Sequence, residues 1–267
     1  MKRALRIFLL HFEEVIQNKS LSFVWFLIAL LNAGVYLLFW QGAFASGSQK
    51  EVIGWNVDIA RSYYILLVIL GPLLFAHIEE NVANDDIRMG GLSKYLVKPY
   101  SYLLLKFYLE TPWRLIQGLY GLIIGLGIGL LLHVPLTVSH NLTSMLIIVC
   151  AIILGYFVSF LFKMIVGILA LWMVDYSGFQ QLVTVLVLIF GGFVVPLEFL
   201  PGHIADISMM LPFASITYFP IKLLQGSVAF EKTVSMLSLQ CVWVVVLFVF
   251  YRWLWKKGIK KYTAVGQ

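Results

Sequence analysis

Long apolar runs alternate with short polar ones along nearly the whole chain, and the run lengths set the first reading. Residues 21–40 hold one strongly polar side chain, Asn32, and further runs cover about 62–78, 112–132, 142–162, 179–197 and 234–255. Helices of that length reach across a hydrocarbon core of about 30 Å, so six transmembrane helices are predicted. The fourth run continues without a break from 142 to 174 except for Lys163. A straight helix that long would extend about 50 Å, so the span is expected to end near Phe162. Lys163 would then reach the membrane surface, and Met164–Val174 would continue at the interface with a bend at Gly167. The competing reading keeps Lys163 inside the bundle as a charge on a transport path.

Residues 1–19 follow a different period. Leu5, Phe8, Leu9, Phe12 and Ile16 share one stripe, with Arg3, Arg6, Glu13 and Gln17 elsewhere, as in an amphipathic helix lying in the interface plane. Its apolar run is broken by His11, Glu13 and Glu14 and lacks a small-residue cleavage site, unlike a removable leader. Glycine and proline refine the later elements. Gly71-Pro72 should kink the second span. Gly121, Gly125 and Gly129 repeat at every fourth position, a face for close approach by another helix of this chain or by a second subunit. Pro196, Pro201, Pro212 and Pro220 forbid one continuous helix after span 5 and predict short re-entrant helices before span 6.

Composition agrees with an all-α membrane protein. Only 12% of residues are charged, against about a quarter in soluble domains. The net charge of +6 does not point to nucleic acid, because the basic residues sit beside the apolar spans. Of the 19 Lys and Arg residues, fourteen fall on the side of the termini, four fall opposite, and Lys163 is the remaining one. The excess places both termini, and the loop after span 2, in the cytoplasm. Cys150 and Cys241 lie within spans and read as packing residues rather than a disulfide.

The one markedly polar stretch in the middle of the chain runs from Glu79 to Lys106. Glu79, Glu80, Asp85 and Asp86 open it, Gly90-Gly91 break it, and Lys94, Lys98 and Lys106 follow among aromatics and leucines. Its acids read as a solvated cuff ending span 2. His77, Glu79 and Glu80 have metal-ligand chemistry but fit a solvated helix end better. Glu198, His203 and Asp206 form a second weak set that lines an exit route or faces the outer solvent. No Gly-xxxx-Gly-Lys-Ser/Thr phosphate loop occurs; Lys19-Ser20 and Lys232-Thr233 both lack the glycine. Energy from ATP would have to enter from another protein.

Three segments carry a family likeness: Asp86–Pro99 after span 2, Ala170–Trp172 with Asp175 before span 5, and Gly191–Pro201 after it, with Leu211–Phe213 and Phe219-Pro220 fitting as well. In that order, within a six-span frame, the chain resembles the permease subunits of bacterial ABC-2-type transporters. The resemblance implies a type V exporter-like fold with an N-terminal connecting helix. It implies a non-catalytic subunit with no cofactor of its own, ATP and Mg being held by two copies of a partner ATPase, and a second permease, identical or paralogous, in a bacterial cytoplasmic membrane. A coupling helix over Ile87–Leu96 would dock on the ATPase through Ile87, Arg88, Gly90, Gly91, Leu92, Tyr95 and Leu96, with Leu92, Tyr95 and Leu96 as anchors. Lys98 and Pro99 would lead back to the membrane, and Asp175 and Tyr176 would make a second cytosolic contact. Tyr64, Phe75, Phe190 and Phe193 would offer a path to a lipophilic drug, peptide or lipid-like substrate, although the same aromatics suit a core. A standalone secondary carrier, with Lys163 as its only candidate ion-coupling charge, and a non-transporting scaffold are the alternatives.

Overall fold

A computed structural model describes residues 2–17, 19–45, 54–136, 141–173, 175–226 and 228–262. Residues 46–53 of the loop expected between spans 1 and 2 lie outside this set, as do His140 and the side chain of Leu5. Among the described residues twelve α-helices follow one another: α1 Lys2–Gln17, α2 Lys19–Ala45, α3 Val57–Leu74, α4 Ile78–Glu80, α5 Ser93–Leu96, α6 Tyr102–Leu131, α7 Leu142–Ile168, α8 Ser177–Phe190, α9 His203–Met210, α10 Pro212–Ile216, α11 Tyr218–Leu224 and α12 Phe230–Gly258. A π-helical segment, Asn81–Arg88, continues α4. No β-strand occurs among the described residues.

Among the described residues four helical stretches are long and apolar enough to cross a membrane: Val57–Arg88, Tyr102–Leu131, Leu142–Leu171 and Phe230–Gly258. At 27 residues, α2 has the length to do so too, about 40 Å. The fifth expected span is shorter than its apolar run. With 14 residues, α8 extends only about 21 Å, and it stops at Phe190 rather than 197 because Gly191-Gly192 turn the chain. Gly192 has φ +78°, and a Cβ there would lie 2.6 Å from the Tyr63 hydroxyl oxygen, so both handedness and space require glycine. The proline-rich segment beyond breaks into the short helices α9, α10 and α11, with Pro212 in the first turn of α10 where its missing N–H costs nothing.

The bundle is organised around two helix pairs, α3 with α6 and α7 with α12, with α2 against α3 and α6, α1 beside α6, and α10 and α11 against α7. The repeated glycines make the first pair. A Cβ on Gly121 would sit 2.5 Å from the Val68 carbonyl oxygen, and one on Gly125 would sit 2.3 Å from Ile69 Cγ1. Gly129 faces Ile65 at an ordinary 3.7 Å. The glycine face is therefore an internal packing surface between α6 and α3, where absent side chains let the backbones approach.

The fourth span departs from expectation at its end. Instead of stopping near Phe162, α7 runs unbroken through Lys163 to Ile168. Gly167 is not a bend; it lets the π-helical segment approach, since a Cβ there would lie 2.8 Å from Val82 Cβ. Lys163 lies on the buried face, 1% exposed, so its stem does not snorkel to the surface. What replaces the lost hydration is a partner charge, described below.

Candidate functional site

The second transmembrane stretch is interrupted. Past Pro72, α3 stays helical to Leu74, and the helix breaks over Phe75–His77 before α4 resumes it. Broken backbone at this depth needs partners from neighbouring elements, and three are supplied by side chains. Ser159 Oγ on α7 accepts from the Ala76 N–H at 2.9 Å. Glu110 Oε1 on α6 accepts from the His77 N–H at 2.9 Å. Arg114 Nη1 donates to the Phe75 carbonyl at 2.9 Å.

Around the break lie three ion pairs withdrawn from solvent. Arg114 Nε stands 2.9 Å from Glu110 Oε1, one turn apart on α6. Lys163 of α7 pairs with Glu79 of α4 and holds its ammonium 4.5 Å from the Phe75 ring centre. Lys106 of α6 pairs with Asp86 of the π-helical segment and donates to Asn81 Oδ1. Tyr102 also donates to Asp86. The expected solvated cuff is thus only half solvated: Glu80 and Asp85 are exposed, whereas Glu79 and Asp86 are buried and paired. The pairs tie α4 and the π-helical segment to α6 and α7, and removing one member would strand a buried charge. Glu110, Arg114 and Ser159 were not singled out in the sequence. Glu110 and Arg114 carried a signal, opposite charges four apart inside an apolar helix.

Beyond Arg88 the chain makes a tight turn with φ +77° at Gly90. Leu92 N–H donates to the Asp86 carbonyl at 2.7 Å and Gly91 N–H to the Asp85 carbonyl at 3.1 Å, closing the end of the π-helical segment much as a Schellman cap closes an α-helix. A Cβ on Gly91 would lie 2.6 Å from the Asp85 carbonyl oxygen, so the turn is built for glycine. The sequence-expected helix over Ile87–Leu96 is therefore two pieces, a π-helical end at Arg88 and the four-residue α5, separated by this turn. Ile87 and Leu92 point into the protein, Leu92 at 0% exposure. Tyr95 is half-buried, edge-on to Tyr102 at 5.6 Å. Outward stand Arg88, Met89 (75% exposed), Leu96, Val97 (84%), Lys98, Pro99 and Tyr100. The loop is fastened from the far end of the chain, where the Tyr262 hydroxyl donates to the Gly90 carbonyl at 2.8 Å.

Asp175 and Tyr176 part ways. Asp175 is exposed and accepts from Ser177 N–H, Ser177 Oγ and Gly178 N–H at the start of α8. The Ser177 hydroxyl, then the Gly178 amide, hold its carboxyl below the usual range. Tyr176 is buried, with its hydroxyl 3.4 Å from the Glu79 carbonyl and the Arg88 guanidinium 5.8 Å from its ring centre. It braces the π-helical segment from inside and presents no solvent-facing surface.

A cavity of about 310 Å3 opens between α2, α3, α6 and α8. Phe75 and Phe193 line it, 5.3 Å apart edge to face, together with Asn32, Gln117 and Thr184. Gln117 is buried and its Nε2 has no hydrogen-bond partner. Tyr64 is not on this wall; its ring is buried and its hydroxyl donates to the Val194 carbonyl at 2.7 Å. Tyr63 does the same to Gly192 at 2.7 Å, so these tyrosines hold the turn after α8. Phe190, half-buried, is not among the residues lining the cavity. The second polar set also dissolves: Glu198 pairs with Lys222 at 3.1 Å, while His203 and Asp206 are exposed on α9. Among the described residues no group of three or more His, Cys, Asp or Glu side chains could hold a metal ion.

A family model described as ABC-2 family transporter protein matches residues 30–266. No curated protein matches the chain.

Proposed function

This chain belongs to the ABC-2 family of transporter proteins, and we propose that it is the membrane-spanning permease subunit of an ATP-binding-cassette exporter, driven by a separate ATPase. The chain is a multi-pass membrane protein. In this reading it catalyses nothing itself; ATP and Mg are bound by two copies of the partner, and a second permease, identical or paralogous, completes the transporter. It sits in a bacterial cytoplasmic membrane with both termini inside, as the excess of Lys and Arg on that side supports. Six crossings are made by α2, by α3 through Arg88, by α6, α7 and α12, and by α8, whose short span is completed by residues 191–202 with α9–α11 dipping back into the outer leaflet. The amphipathic α1 lies along the inner interface.

One observation carries the coupling role. The 89–100 loop presents apolar side chains to solvent from a seat that is itself rigidly tied into the bundle. Met89 and Val97 are among the most exposed large apolar side chains of the chain, on a segment whose Gly90, Asp86 and Leu92 are bonded to the C-terminus, to α6 and to the π-helical segment. Exposed apolar groups on such a seat suit a partner's groove, and the ion pairs pass a push on the loop to α6 and α7 as a rigid-body motion. The docking anchors are then Met89, Leu96, Val97 and Tyr100 rather than Leu92, with Arg88, Tyr95, Lys98 and Pro99 around them and Asp175 beside them. Gly90 and Gly91 shape the turn.

Substrate passes along the α3 and α8 side of the protomer, where Phe75 and Phe193 flank the cavity and a mostly apolar wall suits a lipophilic drug, peptide or lipid-like molecule. A secondary carrier is disfavoured because Lys163 is already neutralised by Glu79. Co-purification from membranes is the test. The chain should bring down an ATP-hydrolysing subunit, and Val97→Asp should release it; purification without any ATPase would defeat the reading.

A further inference from the structure

A second hollow lies at the Tyr102 end of α6, between the segment 95–101 and the last turns of α12. It encloses about 460 Å3 and is lined by Lys98, Arg252, Tyr100, Ser101, Trp255 and Phe248, among others. Neither Lys98 nor Arg252 has a carboxylate partner among the described residues; each instead lies against an aromatic ring, Lys98 over Tyr95 at 5.2 Å and Arg252 over Phe248 at 5.9 Å. Among the described residues no acidic side chain lines the hollow. Its back wall is stiff, since Tyr102 and Trp255 stack in parallel with centres 4.7 Å apart. Ser101 precedes the first turn of the 30-residue α6, whose opening amide groups add to the positive field.

The surroundings identify what kind of anion could enter. On the outer surface next to it stand Leu104 and Phe248, both exposed and apolar, and farther round α12 Val249, Phe250 and Trp253 are exposed as well. Trp253 in turn carries Lys257 over its ring at 4.0 Å. Aromatic rings with cations beside an apolar face mark the level where a bilayer changes from acyl chain to headgroup. A phosphate held between Lys98 and Arg252 would therefore have its glycerol and acyl chains continue along the apolar face of α12, which free phosphate could not exploit.

We propose that this cleft binds the phosphate headgroup of an anionic phospholipid from the leaflet at this end of α12. Arg252 supplies the forked donor, Lys98 the point charge, and the Tyr100 and Ser101 hydroxyls further donors. The bound lipid bridges the 95–101 segment to α12 and so steadies the root of the loop that carries Val97. The assignment holds whichever face of the membrane this end occupies, and it is independent of which substrate is carried.

The test is lipid retention by the intact permease complex, read by native mass spectrometry after exchange from nanodiscs of mixed phosphatidylglycerol and phosphatidylcholine. The wild type should keep phosphatidylglycerol over phosphatidylcholine. Lys98→Gln with Arg252→Gln should lower that retention about thirtyfold, as expected for losing two interfacial cations, and Lys257→Gln should leave it unchanged. Equal retention of the two lipids by the wild type would overturn the proposal without recourse to any variant. So would displacement of the lipid by millimolar inorganic phosphate.

Discussion

Glu79 and Lys163, on separate helices and 84 residues apart in sequence, form an ion pair in which both side chains are almost wholly withdrawn from solvent. The pair joins the resumed helix after the break at Phe75–His77 to the last two turns of α7. It fixes the register between the stretch that leads to the 89–100 loop and the pair of helices, α7 and α12, on the other side of the bundle.

Breaking that pair from one side should be costly, because the partner is left charged and buried. Glu79→Ala or Lys163→Ala should each lower stability by about 3–5 kcal/mol, while the combined Glu79→Leu and Lys163→Met exchange should recover most of it. Thermal unfolding in detergent, followed by circular dichroism, separates the cases. A double variant as unstable as the sum of the singles would show that the charges do not interact.

The glycine face of α6 gives a second expectation. Gly125→Leu should disrupt the α3–α6 contact, where Ile69 leaves no room for a side chain, and the loss should appear as reduced folding yield rather than as a change in subunit stoichiometry. Gly127→Leu, whose added Cβ would meet nothing within 4 Å, should fold normally. Size-exclusion chromatography with light scattering distinguishes lost folding from lost association.

The turn and the tip of the loop should respond differently. Gly91→Ala meets backbone at the Asp85 carbonyl, so it should lower the unfolding temperature of the permease on its own. Val97→Asp, at an exposed position, should leave unfolding unchanged and lower ATPase association by tenfold or more, about 1.4 kcal/mol. Comparing unfolding with a pull-down on the same two variants checks the separation.

Asp175 carries a pH dependence whose sign follows from its depressed carboxyl. A group whose folded pKa is below its unfolded value contributes stability above the unfolded pKa and loses it as pH falls through the folded one. The Ser177 and Gly178 donors should therefore steady the start of α8 at neutral pH. Asp175→Asn should lower the unfolding temperature at pH 7, and the difference from wild type should shrink as pH falls through the unfolded carboxyl's range and vanish once the folded carboxyl is protonated. A difference that persists there would argue for a neutral cap instead.

The framework of apolar helices was legible from run length alone, because a bilayer-spanning helix needs no distant partner to declare itself. Helix ends were less so. Lys163 read as an exit to water since hydropathy scores a charge without its partner, and Glu79 is too far along the chain for any local pattern to link them. The inward face of the loop was hidden for another reason. The Gly90-Gly91 turn that caps the π-helical segment splits the expected helix and folds Leu92 back onto Asp86, so Leu92, read as a docking anchor, points inward. The stop at Phe190 was hidden by Phe193–Val195, which keep the run apolar past the Gly191-Gly192 turn. Gly121 and Gly125, by contrast, announced close packing correctly, and what the sequence left open was only whose helix would fill the gap.

The central claim, that this permease receives its power through the 89–100 loop from a separate ATPase, is tested most directly by placing a photo-crosslinking amino acid at Val97 in membranes and identifying what it captures. The account expects a covalent adduct with an ATP-hydrolysing subunit, absent when the probe is moved to Leu104, an exposed apolar position on α6. Capture of lipid alone, or only of another copy of this chain, at Val97 would contradict it.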